Sequence, residues 1–181
     1  MTRRWNAWER FNRKCVQMTG EALIAEAKTF EKKLLNFFWR QGVSHAEAED
    51  LLQEVYLRLW KYSDRYVRSA SLSTFLFIVA RHVRLDALRS ETRRREREER
   101  WAKDVAESAA PCNPAACSRD DVRRMMMCLS EPLREVVELG VFQDMSYADI
   151  AEVLGIPLGT VKSRMFLALK KLKERFNGKR S

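Results

Sequence analysis

Glycine and proline are scarce in this chain, six and four respectively in 181 residues, which excludes an architecture built on frequent tight turns. No segment alternates apolar and polar residues with the two-residue period of a half-buried strand, so no sheet is expected. No apolar run approaches the roughly 18 residues needed to cross a bilayer, and the opening MTRRWNAWERFNRK carries charges and tryptophans where a signal peptide has an apolar core. The reading is therefore cytoplasmic, without membrane insertion. Cys15, Cys112, Cys117 and Cys128 form no CxxC pair and lie far in sequence from His45 and His82. A metal site is not expected, and free thiols in a reducing compartment outweigh a functional role for Cys112, Cys117 or Cys128. There is no phosphate loop and no nucleophile elbow, so neither a cofactor nor catalytic residues are assigned.

What the chain has is positive charge and helical periodicity. Lys and Arg number 34 against 25 Asp and Glu, giving a net charge of +9 and a sequence pI near 9.7, a balance that fits a polyanionic partner. The charge is segregated: Leu129 to Gly155 is acidic, whereas Ile156 to Ser181 holds eight Lys and Arg residues against the single acid Glu174. The fold class expected is all-α, with two small helical domains joined by a flexible linker. Residues 1–20 form an N-terminal extension, 21–90 the first domain, 91–118 the linker, 119–176 the second domain and 177–181 a basic tail. The linker opens as the charge run ETRRREREERWAKD, read as a frayed helix, and continues as AESAAPCNPAACS, which has two prolines and no apolar stripe.

The most informative segment is SYADIAEVLGIPLGTVKSRMFLALKKL, residues 146–172. Ser146 and Asp149 have capping-box spacing, and Tyr147, Ile150, Ala151 and Leu154 give the first helix one apolar face. Gly155 suits a left-handed helix exit, and Pro157 suits the first turn of the next helix. Val161, Met165, Leu169 and Leu172 are read as packing that second helix down, leaving Lys162, Ser163, Arg164, Lys170, Lys171 and Lys173 on its remaining surface. This is a helix-turn-helix with a basic second helix, the arrangement that reads the major groove of DNA.

In the first domain Ser44 and Glu47 form another capping box. The helix after it buries a stripe of Leu51, Leu52, Val55 and Leu59, and its other side mixes Asp50, Gln53, Glu54, Leu57, Arg58 and Lys61. Taken alone, that mixed face reads as an ordinary solvated surface. The next helix, from about Ser73 to Arg89, buries Phe75, Leu76, Val79 and Val83 and carries Arg81, His82 and Arg84. It is entered through SDRYVRSASLS, whose aromatic, arginines and small polar residues suit single-stranded nucleic acid weakly.

In this order, AEDLLQEVYLRLW, STFLFIVARHVRLDALR and LSEPLREVVELGVFQDMSYADIAEVLGIPLGTVKSR resemble the second and fourth conserved regions of the extracytoplasmic-function (ECF) sigma factors, a class of the bacterial sigma-70 family. The resemblance covers about Phe30 to Phe176. It implies a dissociable subunit, not an enzyme, that binds core RNA polymerase, recognises minus-35 and minus-10 promoter DNA and initiates transcription of a specific regulon. Carried over by position, Asp50, Gln53, Glu54, Leu57 and Arg58 match the helix that docks on the polymerase. Phe75, Arg81, His82 and Arg84 fall in the minus-10 region, Phe75 where the family usually has tryptophan and His82 where asparagine is common. Lys162, Ser163 and Phe166 match recognition-helix positions facing the minus-35 element, Arg164 and Lys170 are assigned to phosphates, and Leu167 replaces a frequent arginine. The resemblance further implies control by an anti-sigma factor, with the chain a monomer when free or a heterodimer with that partner. A conventional helix-turn-helix repressor and a sigma-mimicking interaction protein are the rival readings. Met1 to Gly20 lies outside the resemblance, and Met125, Met126 and Met127 are read as core in preference to a partner surface.

Overall fold

A computed structural model of the chain describes residues 19–63, 71–101 and 119–177. The tail 178–181, most of the N-terminal extension and the later part of the linker, with Cys15, Cys112 and Cys117, lie outside the described residues. The described residues are helices and short connections, without a strand.

The first lobe comprises α1 (Gly20–Lys28), α2 (Glu31–Arg40), α3 (His45–Tyr62) and α4 (Leu72–Trp101). Helix α3 starts where the capping box places it: the Ser44 hydroxyl accepts from the Glu47 amide at 3.3 Å, and the Glu47 carboxylate accepts from the Ser44 amide at 3.1 Å. The Ser44 hydroxyl, donating to the Glu47 carboxylate at 2.7 Å, and then the Ser44 amide hold that carboxyl below its ordinary range. Leu52, Val55 and Leu59 are buried, and Leu34, Phe37 and Phe38 from α2 meet Phe77 from α4, with Phe37 edge-on to both other rings at about 5.5 Å. Helix α4 buries Phe75, Leu76, Val79 and Val83 as expected and adds Phe77 and Ala80. It continues through the charge run to Trp101.

The second lobe comprises α5 (Arg119–Met127), α6 (Glu131–Val137), α7 (Tyr147–Leu154) and α8 (Leu158–Asn177). Between α6 and α7 the helix widens into a π-helical turn, Glu138–Phe142, in which the Gln143 amide reaches the Glu138 carbonyl. The chain leaves that turn through Asp144 at φ 54°, a left-handed conformation that aspartate tolerates better than most residues. Ser146 caps α7 by accepting from the Asp149 amide, but the Asp149 carboxylate takes the Ser146 hydroxyl and not its amide, so only half of the capping box forms. Gly155 ends α7 at φ 64°, ψ 37°, as the turn requires.

Two sequence expectations change. Leu169 is half exposed, because the buried stripe of α8 runs Val161, Met165, Ala168 with Leu172 part-buried, the spacing that stays aligned on one side of a 3.6-residue helix. Tyr147 is also largely exposed, and Val153 joins Ile150 and Leu154 beneath α7. Of the three consecutive methionines, Met126 is buried while Met127 is half exposed.

The lobes are packed against each other, α2 against α5 and α4 against α7, and their buried residues form one continuous apolar cluster. A Cβ at Gly155 would meet no neighbouring atom, so its requirement is purely conformational. Gly155→Ala is expected to cost about 1 kcal/mol and Gly155→Asn less, as a lowered denaturation midpoint without a change in slope.

Candidate nucleic-acid and polymerase interfaces

Three surfaces carry the residues singled out in the sequence. On α3, Asp50 and Gln53 are exposed and Glu54 and Arg58 are part-buried, while Leu57 retains 55% of its surface in solvent. Arg58 is held in place: it donates to Glu54 at 2.8 Å and to Asp86 of α4 at 2.9 Å. Its burial opposes its charge, and the two carboxylates outweigh that, keeping its pKa above the ordinary value. The structure adds Trp60, 53% exposed and one turn beyond Leu57 on the same side. Sequence reading missed it, although its position three residues after Leu57 was the available signal. Two large apolar side chains ringed by Asp50, Gln53 and Lys61 form a patch of the kind that anchors a protein partner.

On α8 the outward face, opposite Val161, Met165 and Ala168, presents Lys162, Ser163, Phe166 and Lys170. Phe166 is 69% exposed, and Lys162, Phe166 and Lys170 follow one another at four-residue intervals. The Ser163 hydroxyl donates to the Gly159 carbonyl at 2.9 Å, leaving its oxygen as an acceptor. Lys170 makes only a loose 4.0 Å pair with exposed Glu174. Arg164 sits at the flank, part-buried. Donors and an aromatic along the open side, over an apolar stripe beneath, are the side-chain types that base edges and thymine methyl groups accept in a groove.

The four residues assigned to the minus-10 region are not brought together. Phe75 is buried, 3% exposed, in the first lobe's core, and His82 alone of the four is exposed. Arg81 donates from Nε to Glu135 of α6 at 2.8 Å. Arg84 reaches the Gln41 carbonyl only at 3.5 Å, and its Nε is buried with no hydrogen-bond partner. Burial consequently lowers the pKa of Arg84 from its ordinary value, and Arg134 nearby adds to the effect against the attraction of Glu131 and Glu47. Residues 64–70, part of the segment that precedes α4, lie outside the described residues.

Arg81 and Arg84 therefore belong to the joint between the lobes, whose centre is Arg40. Its guanidinium forms a fork on Glu138, Nε to Oε2 at 2.6 Å and Nη2 to Oε1 at 2.7 Å, and lies 4.3 Å from the centre of the Phe142 ring. Glu138 has no exposed surface. Burial pushes its carboxyl up, whereas Arg40 and the Gln143 amide, at 2.9 Å, hold it down. Arg123 donates to the carbonyls of Gly42 and Val43, and Arg134 donates to that of Gln41, so second-lobe guanidinia cover the carbonyls that end α2.

Comparison with known proteins places the chain in a family. Residues 27–94 match the family model for Sigma-70 region 2, and residues 119–172 match that for Sigma-70, region 4. The chain is 30% identical over 156 residues to the ECF RNA polymerase sigma factor RpoE of Cereibacter sphaeroides, covering 85% of this chain and 86% of that one. It belongs to the ECF sigma factors. The ECF sigma factor SigK of Mycobacterium ulcerans is 30% identical over 131 residues, 70% of each chain. Among solved structures, the sigma factor RpoE of Bartonella quintana, crystallised with the anti-sigma factor NepR, is similar with a TM-score of 0.66 and 26% identity over 84% of this chain and 95% of that one. CnrH, in complex with the cytosolic domain of CnrY, shares the fold with a TM-score of 0.65 at 18% identity, over 87% and 89% of the two chains.

In this sigma factor, Arg40→Met would leave Glu138 buried without its cation. The docked arrangement should lose about 3 kcal/mol, seen as roughly 100-fold faster amide hydrogen exchange around residues 38–43 and 135–142. Replacing both partners by methionine should restore most of the protection, because no unpaired charge remains.

Proposed function

We propose that this sigma factor docks on core RNA polymerase through the α3 face of Asp50, Gln53, Glu54, Leu57 and Arg58, extended by Trp60. The recognition helix α8 reads the minus-35 element through Lys162, Ser163 and Phe166, with Arg164 and Lys170 on phosphates. Arg81, His82 and Arg84 serve the minus-10 element, with Phe75, buried in the first lobe's core, holding the helix that carries them in position. The protein acts as an initiation factor without catalytic chemistry of its own, it works in the cytoplasm, and an anti-sigma factor holds it inactive in a heterodimer. Residues 21–90 and 119–176 are its two functional domains.

The observation that carries the reading is the outward face of α8, where Phe166 is 69% exposed between Lys162 and Lys170. A solvated helix has no need of an open phenylalanine, whereas a groove-reading helix uses one against a thymine methyl group. The direct test is transcription in vitro with bacterial core polymerase on fragmented genomic DNA from the source organism, with start sites mapped. Starts that depend on the protein and share two upstream elements support the reading. If the chain neither binds core nor produces starts, the repressor or mimic readings replace it.

Two substitutions resolve the interfaces. Lys162→Ala should cost about 1 to 3 kcal/mol in promoter binding if it meets a base edge, and less, with a salt slope reduced by about one, if it meets only phosphate; a titration unchanged at every salt concentration removes it from the interface. Trp60→Ala should weaken core binding by more than about 1.4 kcal/mol, or tenfold, without altering DNA binding by the isolated chain.

A further inference from the structure

The apolar patch on α3 stands next to the point where the chain enters the first lobe. Gly20, the first residue of α1, is packed against Trp60: a Cβ there would lie 3.1 Å from the indole ring and 3.1 Å from the Ser63 hydroxyl oxygen. Thr19 before it is extended, with ψ 149°, and caps α1 by accepting from the Ala22 amide at 3.4 Å. Helix α1 therefore does not run on upstream. Residues 1–18 start from the edge of the patch formed by Leu57 and Trp60, 55% and 53% exposed.

Those residues, which lie outside the described ones, match that surface in composition. Trp5, Trp8 and Phe11 place large aromatic side chains at three-residue intervals. A tail that stays in solvent is poor in aromatics, because their area favours burial. Arg3, Arg4, Arg10, Arg13 and Lys14 stand against Glu9, five cations less one acid, so this segment supplies four of the net nine positive charges. Near the patch are exposed acids, Glu21 on α1 and Glu49 and Asp50 on α3. Arg58 is already paired with Glu54 and Asp86, which leaves Lys61 as the opposing charge on this side.

The tether has a suitable length. Trp60 and Asp50 are ten residues apart on α3, about 15 Å at about 1.5 Å per residue. Phe11 precedes Thr19 by eight residues, and a coil of that length has a root-mean-square span of about 15 Å. A tether whose span matches the distance gives an effective concentration near its maximum, on the order of millimolar, so weak contacts suffice to close it.

We propose that residues 1–18 fold back over α3 and seat Trp5, Trp8 and Phe11 against Leu57 and Trp60, with the arginines beside Glu49 and Asp50. The segment is then an internal competitor: it occupies the face assigned above to core polymerase, and polymerase must displace it. Affinity for core is reduced by the fraction of chains whose face is open. That polymerase is the competitor rests on the proposed function; the fold-back rests on the patch, the tether and the charges.

The test is paramagnetic broadening of amide resonances in the full-length chain, with its four cysteines replaced by serine and a nitroxide attached through Thr2→Cys. Amides 53–61 of α3 and the Trp60 indole N–H should broaden several-fold more than amides 168–173 of α8. In the same chain carrying Trp5→Ser, Trp8→Ser and Phe11→Ser, most of the α3 broadening should be lost. That variant should also bind core polymerase about threefold more tightly, the gain expected when about two-thirds of chains are covered. Equal α3 broadening in the two chains, or broadening centred on α8, would overturn the fold-back. Loss of the α3 broadening with core binding unchanged or absent would uphold the fold-back and overturn α3 as the polymerase face instead.

Discussion

A carboxylate with no exposed surface, forked by a guanidinium from another lobe, is the interaction around which the molecule is arranged. Glu138 is buried because the π-helical turn at the end of α6 presents it inward, and Arg40 meets it because α2 ends beside that turn. Removing two charges from water costs several kcal/mol per ion, and the fork, the Gln143 amide and the Phe142 ring offset that cost locally. An ion pair of this kind adds little to stability compared with apolar packing. It is, however, specific in geometry, and each of its partners is well solvated once separated. A joint made of such pairs specifies one docked arrangement without making it permanent.

Around that joint the structure distributes its faces unequally. The apolar patch of Leu57 and Trp60 on α3 and the Phe166 face of α8 point outward, and each is anchored by a stripe of buried residues on the opposite side of its helix. Arg81 of α4 turns to Glu135 of the second lobe, and Arg84 to the Gln41 carbonyl at the end of α2. The same helix therefore belongs to the first lobe's core through Phe75, Leu76 and Phe77 and to the interlobe joint through Arg81 and Arg84.

Much of the fold is legible in the sequence because it is set locally. Ser44 with Glu47 marks the start of α3, Gly155 marks the end of α7, and the spacing of Leu52, Val55 and Leu59 identifies a buried stripe. Leu169 shows the limit of that reading: being apolar at a plausible interval does not bury a side chain when Ala168 is closer to the helix's inward direction. The joint was not legible at all. Arg40 and Glu138 are 98 residues apart, and Arg81 and Glu135 are 54 apart, and neither pair carries any periodic signal. The π turn that aims Glu138 inward breaks the 3.6-residue period on which such signals depend. Reading the α4 arginines as DNA contacts did not reveal Glu135 and the Gln41 carbonyl as their partners.

The reading proposed above has this ECF sigma factor seated on core polymerase through α3 and on promoter DNA through α8. A cryo-electron microscopy structure of the chain with core polymerase and promoter DNA tests it most directly. The expected result is α3 seated on the polymerase through Leu57 and Trp60 and α8 in the major groove of the upstream element. A promoter-bound chain whose α3 face does not touch the polymerase, or whose α8 lies outside the groove, would contradict it.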